Sequence, residues 1–182
     1  MRHRHPSAPT RWLMTDERLG SALWNALARL PRGSGVVFRH YRTPLSERRR
    51  LFTRVLRVAR ARGLVLVRAG PVPMPGEMGV HARHGHGLVT WPAHDRREAM
   101  AGVRAGARVL FVSPVFATRS HPGAPALPRW RAAAIARGLP VAAIALGGMD
   151  ERRFRAARRI GFAGYAGIDC WSGGGMERPS GS

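Results

Sequence analysis

Two segments of the chain carry residue types that bind anions. An apolar run that begins at Phe111 leads into a loop with two hydroxyls, a guanidinium and an imidazole, which belong to Thr118, Ser120, Arg119 and His121. A second apolar run begins at Ala143 and ends in Gly147 and Gly148, whose bare backbone can approach an anion closely. Such strand ends are typical of sites for phosphorylated small molecules. The pattern therefore predicts a βα protein with a phosphate site.

The elements that must position these residues follow from hydrophobic periodicity. Short apolar runs predict strands at 12–14, 36–38, 64–67, 79–81, 88–90, 109–112, 141–145 and 165–168. Apolar residues at helical spacing predict helices at 19–30, 45–62, 95–105, 128–137 and 151–159. Thr43 before Pro44, Asp95 and Asp150 are suited to the starts of three of these helices.

The alternation fits either a closed (β/α)8 barrel or an open doubly wound sheet, and the position of the glycines favours the barrel. An open nucleotide-binding sheet carries its Gly-rich loop after the first strand, whereas the pair Gly147 and Gly148 comes late, where barrels hold phosphate. A chain of 182 residues is short for this fold, whose lower size is about 200 residues. We therefore predict a compact TIM barrel with some helices shortened or missing, because residues 69–76 are rich in proline and residues 81–87 leave no room for a helix.

Length and composition suit one globular domain. The hydrophobic fraction is 45%, and no segment approaches the roughly 20 apolar residues of a membrane span. The first residues lack the apolar core of a secretory signal, so a cytoplasmic protein is expected. We predict a disordered basic tail at 1–10, a single barrel domain at 11–171 and a flexible tail at 172–182.

The net charge of +21 raises the question of nucleic acid. All 31 basic residues are arginine, and they are spread along the chain, as in the run that begins at Arg48, at positions expected on outer helix faces. This distribution favours a general bias toward arginine, and it disfavours a nucleic-acid patch. The charge still attracts anions, so phosphorylated small molecules are the expected partners, and the oligomeric state stays open.

The order of several motifs resembles the thiamine phosphate synthase family over nearly the whole chain. The motifs begin at Leu13, Val37, Gly79, Pro114, Ile144 and Gly161, and the most specific is Pro-Val-Phe-Ala-Thr with its downstream Gly-Gly-Met. The related thiazole tautomerases share the same frame. The resemblance implies a transferase that joins hydroxymethylpyrimidine diphosphate to thiazole phosphate through a carbocation-like pyrimidine, giving thiamine phosphate and diphosphate.

The resemblance also assigns roles to single residues. Arg39 matches the family's diphosphate-binding arginine, and His121 stands at the position of a diphosphate lysine. The other matches concern the thiazole phosphate. Its hydroxyl loop corresponds to Thr118, Arg119 and Ser120, and its backbone contacts correspond to Gly147, Gly148, Ile168 and Asp169. Trp91, at the end of the fifth strand, is expected to line the pocket, because an aromatic face suits a flat cationic ring.

The chain departs from the family at its metal site. The family uses Mg²⁺, yet Ala69 and Gly70 replace its Asn-Asp pair, and the region of Arg83 replaces a second Asp. Around Arg39 a glutamine and a lysine of the family are replaced by Val37 and Tyr41. The metal ligands are therefore unknown. A thiazole tautomerase-like isomerase, or a phosphate-binding relative without transferase activity, stays open as an alternative, although Pro114 stands where the tautomerases have their histidine. An arginine-rich nucleic-acid binder is the third reading.

Two further residues near the predicted site have open roles. His81 is interpreted as a packed strand residue rather than a metal ligand. Asp16 either orients the ring of a substrate or caps the following turn.

Overall fold

The structure is a computed structural model that describes residues 8–117 and 126–172. Eight parallel strands pair in chain order, and the last strand pairs with the first to close a barrel. The strands are β1 (Arg11–Met14), β2 (Gly35–Phe38), β3 (Val65–Arg68), β4 (Gly79–His81), β5 (Leu88–Ala93), β6 (Val109–Val112), β7 (Ala142–Leu146) and β8 (Gly164–Gly167). The predicted (β/α)8 barrel is therefore confirmed.

In the described part of the chain, five α-helices surround the barrel. They are α1 (Ala22–Arg29), α2 (Leu45–Arg62), α3 (Arg96–Arg104), α4 (Arg129–Ala136) and α5 (Glu151–Arg159), and 3₁₀ turns lie at Glu17–Leu19 and Asp169–Trp171. The β3–β4 and β4–β5 connections contain no helix, as the prolines and the short spacing predicted. Among the described residues, no helix is long and apolar enough to cross a membrane.

Helix starts and ends follow local chemistry. The carboxylates of Asp95 and Asp150 accept hydrogen bonds from the backbone N–H groups of Glu98 at 2.8 Å and Arg153 at 2.7 Å, so both predicted caps are present. The expected hydroxyl cap of α2 is wrong. Pro44 itself occupies the cap position in an extended conformation, and no side chain caps this helix.

Side chains alternate between the barrel interior and the outer helical layer, as the pleat requires. The interior cluster consists of Trp12, Met14, Val37, Val67, Ala69, Val109, Phe111, Ile144 and Ala166. The indole of Trp12 lies edge-on to Phe111, with ring centroids 5.1 Å apart. A Cβ on Gly35 would lie 2.2 Å from the Trp12 ring, so this strand position has room only for glycine.

The ends of the barrel domain are held by hydrogen bonds. Pro9 and Thr10, which fall in the predicted N-terminal tail, accept hydrogen bonds from Trp12 Nε1 at 2.7 Å and from the Tyr165 N–H at 2.9 Å. At the other end, Trp171 Nε1 donates to the carbonyl of Trp12 at 2.9 Å. Residues 1–7 and 173–182, most of the two predicted tails, lie outside the described residues.

Candidate functional site

The carboxyl ends of the eight strands form the barrel mouth, and Arg39 is the cation that β2 delivers there. Val37 belongs to the interior cluster, so Arg39, two residues later, follows the same inward direction. Its Nε donates to the carbonyl of Thr15 at 3.0 Å, and its backbone N–H donates to Thr15 Oγ1 at 3.0 Å. These two bonds fix the guanidinium at the rim.

The two terminal nitrogens of Arg39 form no hydrogen bond with any residue that the structure describes. Within residues 8–117 and 126–172, the only ion pair of these nitrogens joins NH2 to Asp16 Oδ2 at 3.6 Å, beyond hydrogen-bond distance. Burial lowers the pKa of Arg39, and the charge of Asp16 opposes this change, while the guanidinium stays charged at any working pH. Arg39 therefore presents two donors in a fork to the mouth, a geometry suited to a phosphate group.

Asp16 has two cationic neighbours, and Arg18 is the closer one. Its carboxylate accepts from Arg18 Nε at 2.8 Å and from the Arg18 backbone N–H at 3.0 Å, which caps the 3₁₀ turn. The side-chain bond to Arg18 is the largest cause that holds the pKa of Asp16 below its usual range. Of the two roles that the sequence left open for Asp16, the structure shows the cap.

Thr15 is a site residue that sequence reasoning missed. It is fully buried, and its Oγ1 lies 3.0 Å from His40 Nδ1 as well as accepting from Arg39. His40 stacks on Phe38 at 4.7 Å, and burial lowers the pKa of its imidazole. The signal in the sequence is weak, because a threonine after an apolar strand is common. Its role depends on β2 lying beside β1.

His81 is a further polar residue of the mouth. It ends β4, its ring lies 5.6 Å from that of Phe111 in the barrel interior, and its Nδ1 lies 2.9 Å from Thr90 Oγ1 of β5. Burial, and to a smaller degree the charge of Arg39, lower the pKa of His81 to about 4. The imidazole is therefore neutral at physiological pH and close enough to Arg39 to be influenced by its charge.

Gly147 and Gly148 lie on the β7–α5 loop, against the segment that follows β6. Both have positive φ angles, 97° and 56°, and a Cβ on Gly148 would lie 2.3 Å from the carbonyl oxygen of Ala117. The carbonyl of Gly147 accepts from the Phe116 N–H at 3.2 Å, and the carbonyl of Gly148 accepts from Arg153. Because N–H and C=O point in opposite directions across a trans peptide, the N–H groups of Gly148 and Met149 point away from these partners.

Ile168 and Asp169 follow β8 on the neighbouring side of the mouth. Ile168 precedes the second 3₁₀ turn, and Asp169 is its exposed first residue. The pKa of Arg18 is raised, first by its hydrogen bonds to Asp16 and also by the charge of Asp169. The carboxylate of Asp169 is therefore close enough to Arg18 to interact with its charge.

Trp91 does not lie at the mouth. Its ring packs against the outer helical layer, where a Cβ on Gly102 of α3 would lie 2.8 Å from it, and it makes an edge contact with His84 at 6.4 Å. The expectation that Trp91 lines the pocket is not met, because strand alternation directs this residue outward and its neighbour Thr90 inward. The predicted residues Thr118, Arg119, Ser120 and His121 lie outside the described residues.

The expectation that the run beginning at Arg48 faces solvent is wrong for its first member. Arg48 of α2 is 5% exposed, its NH2 donates to the carbonyl of Ala69 at 2.6 Å, and its guanidinium lies 5.5 Å from the ring centroid of Phe38. Beside it, Arg68 and Glu77 form an ion pair with two hydrogen bonds that holds the β3–β4 loop. Arginines thus organise the loop in which the resemblance expects metal ligands.

The donor set at that loop does not fit Mg²⁺. Ala69 is fully buried, and its carbonyl is taken by Arg48. Across residues 8–117 and 126–172, no three or more His, Cys, Asp or Glu side chains form a group that could hold a metal ion. A divalent cation that prefers oxygen ligands would find arginines here and one carboxylate, that of Glu77, which is already paired with Arg68.

The fold is similar to that of several solved structures. Thiamine phosphate pyrophosphorylase from Pyrococcus furiosus matches with a TM-score of 0.74 and 17% identity, over 90% of this chain and 87% of that chain. The Bacteroides thetaiotaomicron thiamine phosphate pyrophosphorylase matches with a TM-score of 0.58 and 16% identity, over 89% of this chain and 83% of that chain. A structure named native KDPGal has a TM-score of 0.59 and 14% identity, over 100% and 90% of the two chains. At these identities the likeness shows the fold alone.

The sequence itself matches a family. None of the curated proteins matches it significantly. The model of the thiamine monophosphate synthase family matches residues 56–170, more than half of the chain, and this range includes β4, the glycine pair and the β8 end of the mouth. The chain therefore belongs to the thiamine monophosphate synthase family.

Proposed function

We propose that this protein is a thiamine phosphate synthase-like transferase that joins hydroxymethylpyrimidine diphosphate to thiazole phosphate. The observation that carries the proposal is the guanidinium of Arg39, which Thr15 holds at the rim of a closed barrel with two terminal nitrogens unbonded among the described residues. A bidentate donor of this kind suits the leaving diphosphate. The family match supports the assignment.

In the proposed reaction, the C–O bond between the pyrimidine methylene and the diphosphate breaks, and its electron pair leaves with the diphosphate. The thiazole nitrogen then donates its lone pair to the methylene carbon. Arg39 stabilises charge that develops on the departing oxygen, the kind of interaction that favours a transition state over the ground state. The N–H groups of the glycine loop and of the Ile168–Asp169 turn are proposed to hold the thiazole phosphate.

The residues at the position of the family's metal site distinguish this chain from the family pattern. The described residues include no group of three or more His, Cys, Asp or Glu side chains that could hold Mg²⁺, so we propose that cationic side chains meet the charge of the diphosphate. Arg83, on the β4–β5 loop with its NH1 3.4 Å from the carbonyl of Pro71, is proposed as a further cation, together with His121. We expect transfer that depends weakly on Mg²⁺.

The lack of a metal-binding group among the described residues also favours a second candidate function. A family member without metal ligands can keep the thiazole phosphate site and lose the ability to expel diphosphate. Such a protein would be a phosphate-binding relative or a thiazole tautomerase-like isomerase. It would bind thiazole phosphate and leave the pyrimidine diphosphate intact.

Purified protein with both substrates separates the two candidates. Chromatography, with and without a chelator, measures whether thiamine phosphate forms. Its formation supports the transferase. Binding of thiazole phosphate with no product in either condition supports the second candidate.

Arg39→Ala tests the residue that carries the proposal. We expect the kcat/KM for the pyrimidine diphosphate to fall at least tenfold, since a charged hydrogen bond contributes about 1.5–3 kcal/mol. Arg42→Ala is a matched control, because Arg42 is exposed and has the same charge. Equal kinetics in Arg39→Ala, Arg42→Ala and the unchanged protein would refute the assignment.

A further inference from the structure

The turn that follows β3 at Ala69 and Gly70 has both of its carbonyl groups bound by arginines. The NH2 of Arg48 on α2 donates to the carbonyl of Ala69 at 2.6 Å, and the NH1 of Arg68 donates to the carbonyl of Gly70. Gly70 itself adopts a left-handed conformation, with a φ of 86°. The two guanidiniums therefore fix the peptide groups on both sides of Gly70.

The N–H of Gly70 is the donor that this arrangement leaves open. Across a trans peptide, this N–H points in the opposite direction to the carbonyl of Ala69. Because that carbonyl is bound by Arg48, the N–H of Gly70 points away from α2. Among the residues that the structure describes, it has no hydrogen-bond acceptor. Gly70 is partly exposed, so the turn is not enclosed by packing.

The charge of Arg48 has no counter-ion in the part of the chain that the structure describes. Arg48 is 5% exposed, forms no ion pair there, and has a buried Nε without a partner. Arg68, by contrast, is paired with Glu77 through two hydrogen bonds. An unpaired buried charge is unfavourable, and a nearby anion would compensate it. The charged donor on the carbonyl of Ala69 also polarises the peptide and strengthens the N–H of Gly70 as a donor.

This N–H lies at the strand end next to that of Arg39. In the β2–β3 register Phe38 pairs with Arg68, and the N–H of Ala69 donates to the carbonyl of Phe38 at 3.0 Å. Arg39 and the turn at Ala69 and Gly70 therefore leave the barrel side by side, from strands about 4.8 Å apart. One diphosphate can contact both.

We propose that the turn at Ala69 and Gly70 is an anion site, in which the N–H of Gly70, polarised by Arg48, binds a diphosphate oxygen directly. The site stands where the family pattern has carboxylates for Mg²⁺. The inference deepens the proposed transferase function and rests on it for the identity of the ligand. Arg48 contacts the turn, so it is a positioning residue. Diphosphate should consequently bind with the same affinity in the presence and absence of a chelator.

Nuclear magnetic resonance tests the contact at its own atom. Protein labelled with ¹³C-carbonyl alanine and ¹⁵N-glycine shows the amides of glycines that follow alanine, of which the chain has five. Gly70→Asn removes one of these signals and so assigns it. Inorganic diphosphate with a chelator present should move the Gly70 amide proton downfield, more than the other signals. A Gly70 signal that does not move at saturating diphosphate overturns the inference.

Calorimetry with inorganic diphosphate tests the role of Arg48. Arg48→Met should weaken binding about tenfold, the effect of one charged hydrogen bond, and Arg48→Lys should restore part of the affinity. Arg49→Met is the matched control, because Arg49 is the exposed next residue of α2 and has the same charge. Equal affinities in Arg48→Met and Arg49→Met would show that Arg48 does not support the site.

A second pair of variants keeps Arg48 in place. Asp and Asn both tolerate the left-handed conformation of Gly70, so Gly70→Asp and Gly70→Asn change the backbone in the same way. The added carboxylate should weaken diphosphate binding at least tenfold relative to the amide. Equal binding by these two variants overturns the inference.

The outcomes separate this inference from the proposed function. If the protein binds diphosphate and forms thiamine phosphate while the Gly70 signal stays in place, the proposed function stands and the inference fails. If the Gly70 signal moves but no thiamine phosphate forms, the anion site stands and the proposed transferase fails. If the unchanged protein does not bind inorganic diphosphate, the inference fails, and the product assay alone decides the proposed function.

Discussion

Asp16 competes with any anion for Arg39, so removal of its charge should tighten anion binding. The Oδ2 of Asp16 lies 3.6 Å from Arg39 NH2, and the two side chains are 22% and 24% exposed. At this distance, Coulomb's law gives about 1 kcal/mol in bulk water and about 5 kcal/mol at an effective dielectric constant of 20. Since Arg18 already neutralises much of the Asp16 charge, we expect a value near the lower end, about 1.4 kcal/mol, which corresponds to tenfold.

The variant is Asp16→Asn, which keeps an oxygen that can cap the 3₁₀ turn. Calorimetric titration with inorganic diphosphate should give about tenfold tighter binding than in the unchanged protein, and the gain should shrink at high salt. Arg18→Gln should act in the opposite direction, because Asp16 then has Arg39 as its remaining cationic partner among the described residues.

Glu98→Gln is the charge-matched control for this prediction. The carboxylate of Glu98 pairs with His94 at 2.8 Å in the β5–α3 region, so its removal changes the net charge by the same amount without freeing Arg39. A diphosphate affinity in Asp16→Asn that equals that of Glu98→Gln would show that only net charge matters and would refute the reasoning.

Three further predictions concern stability and placement. Because the pKa of His81 falls to about 4 on folding, the unfolded chain binds an extra proton between pH 6.5 and 4, so the free energy of unfolding falls as the pH drops through this range. Urea unfolding at pH 7 and at pH 4.5 measures this difference, and His81→Asn should reduce it by about 2–3 kcal/mol. Gly35→Ala should cost about 1–3 kcal/mol or more in the same assay, and less in a Trp12→Phe background, whereas equal costs would contradict the contact. Trp91→Phe should lower the melting temperature and leave the KM for both substrates unchanged; a raised KM would place this ring in the pocket after all.

The elements were predictable because their signals are local. Periodicity and the capping residues Asp95 and Asp150 are read within one turn, and they gave all eight strands and five helices within a few residues. The late glycine pair was enough to favour the closed barrel over the open sheet. The missing helices followed from prolines, which cannot continue a helix in its interior.

The site was less predictable because its contacts depend on which strands become neighbours and which face each residue takes. Trp91 was expected at a strand end, but β5 runs three residues further than the sequence indicated, so Trp91 lies inside the strand and the face of its indole follows from register. Arg48 looks like its exposed neighbours in an arginine run, and only packing against Phe38 and Ala69 shows that it is buried. The low pKa of His81 likewise follows first from its burial in the assembled barrel and then from the charge of Arg39, 42 positions away in the chain, and no local pattern reveals either effect.

The indole at the floor of the barrel has a consequence for the opposite end. Trp12 contacts Phe111 edge-on, and Phe111 lies tilted against His81, so three rings in contact connect the barrel interior to its mouth. Few interior side chains separate Trp12 from the mouth in so small a barrel, so the contact with Phe111 determines where the imidazole of His81 lies. Substitutions of Trp12 should therefore shift the His81 ring at the mouth through Phe111.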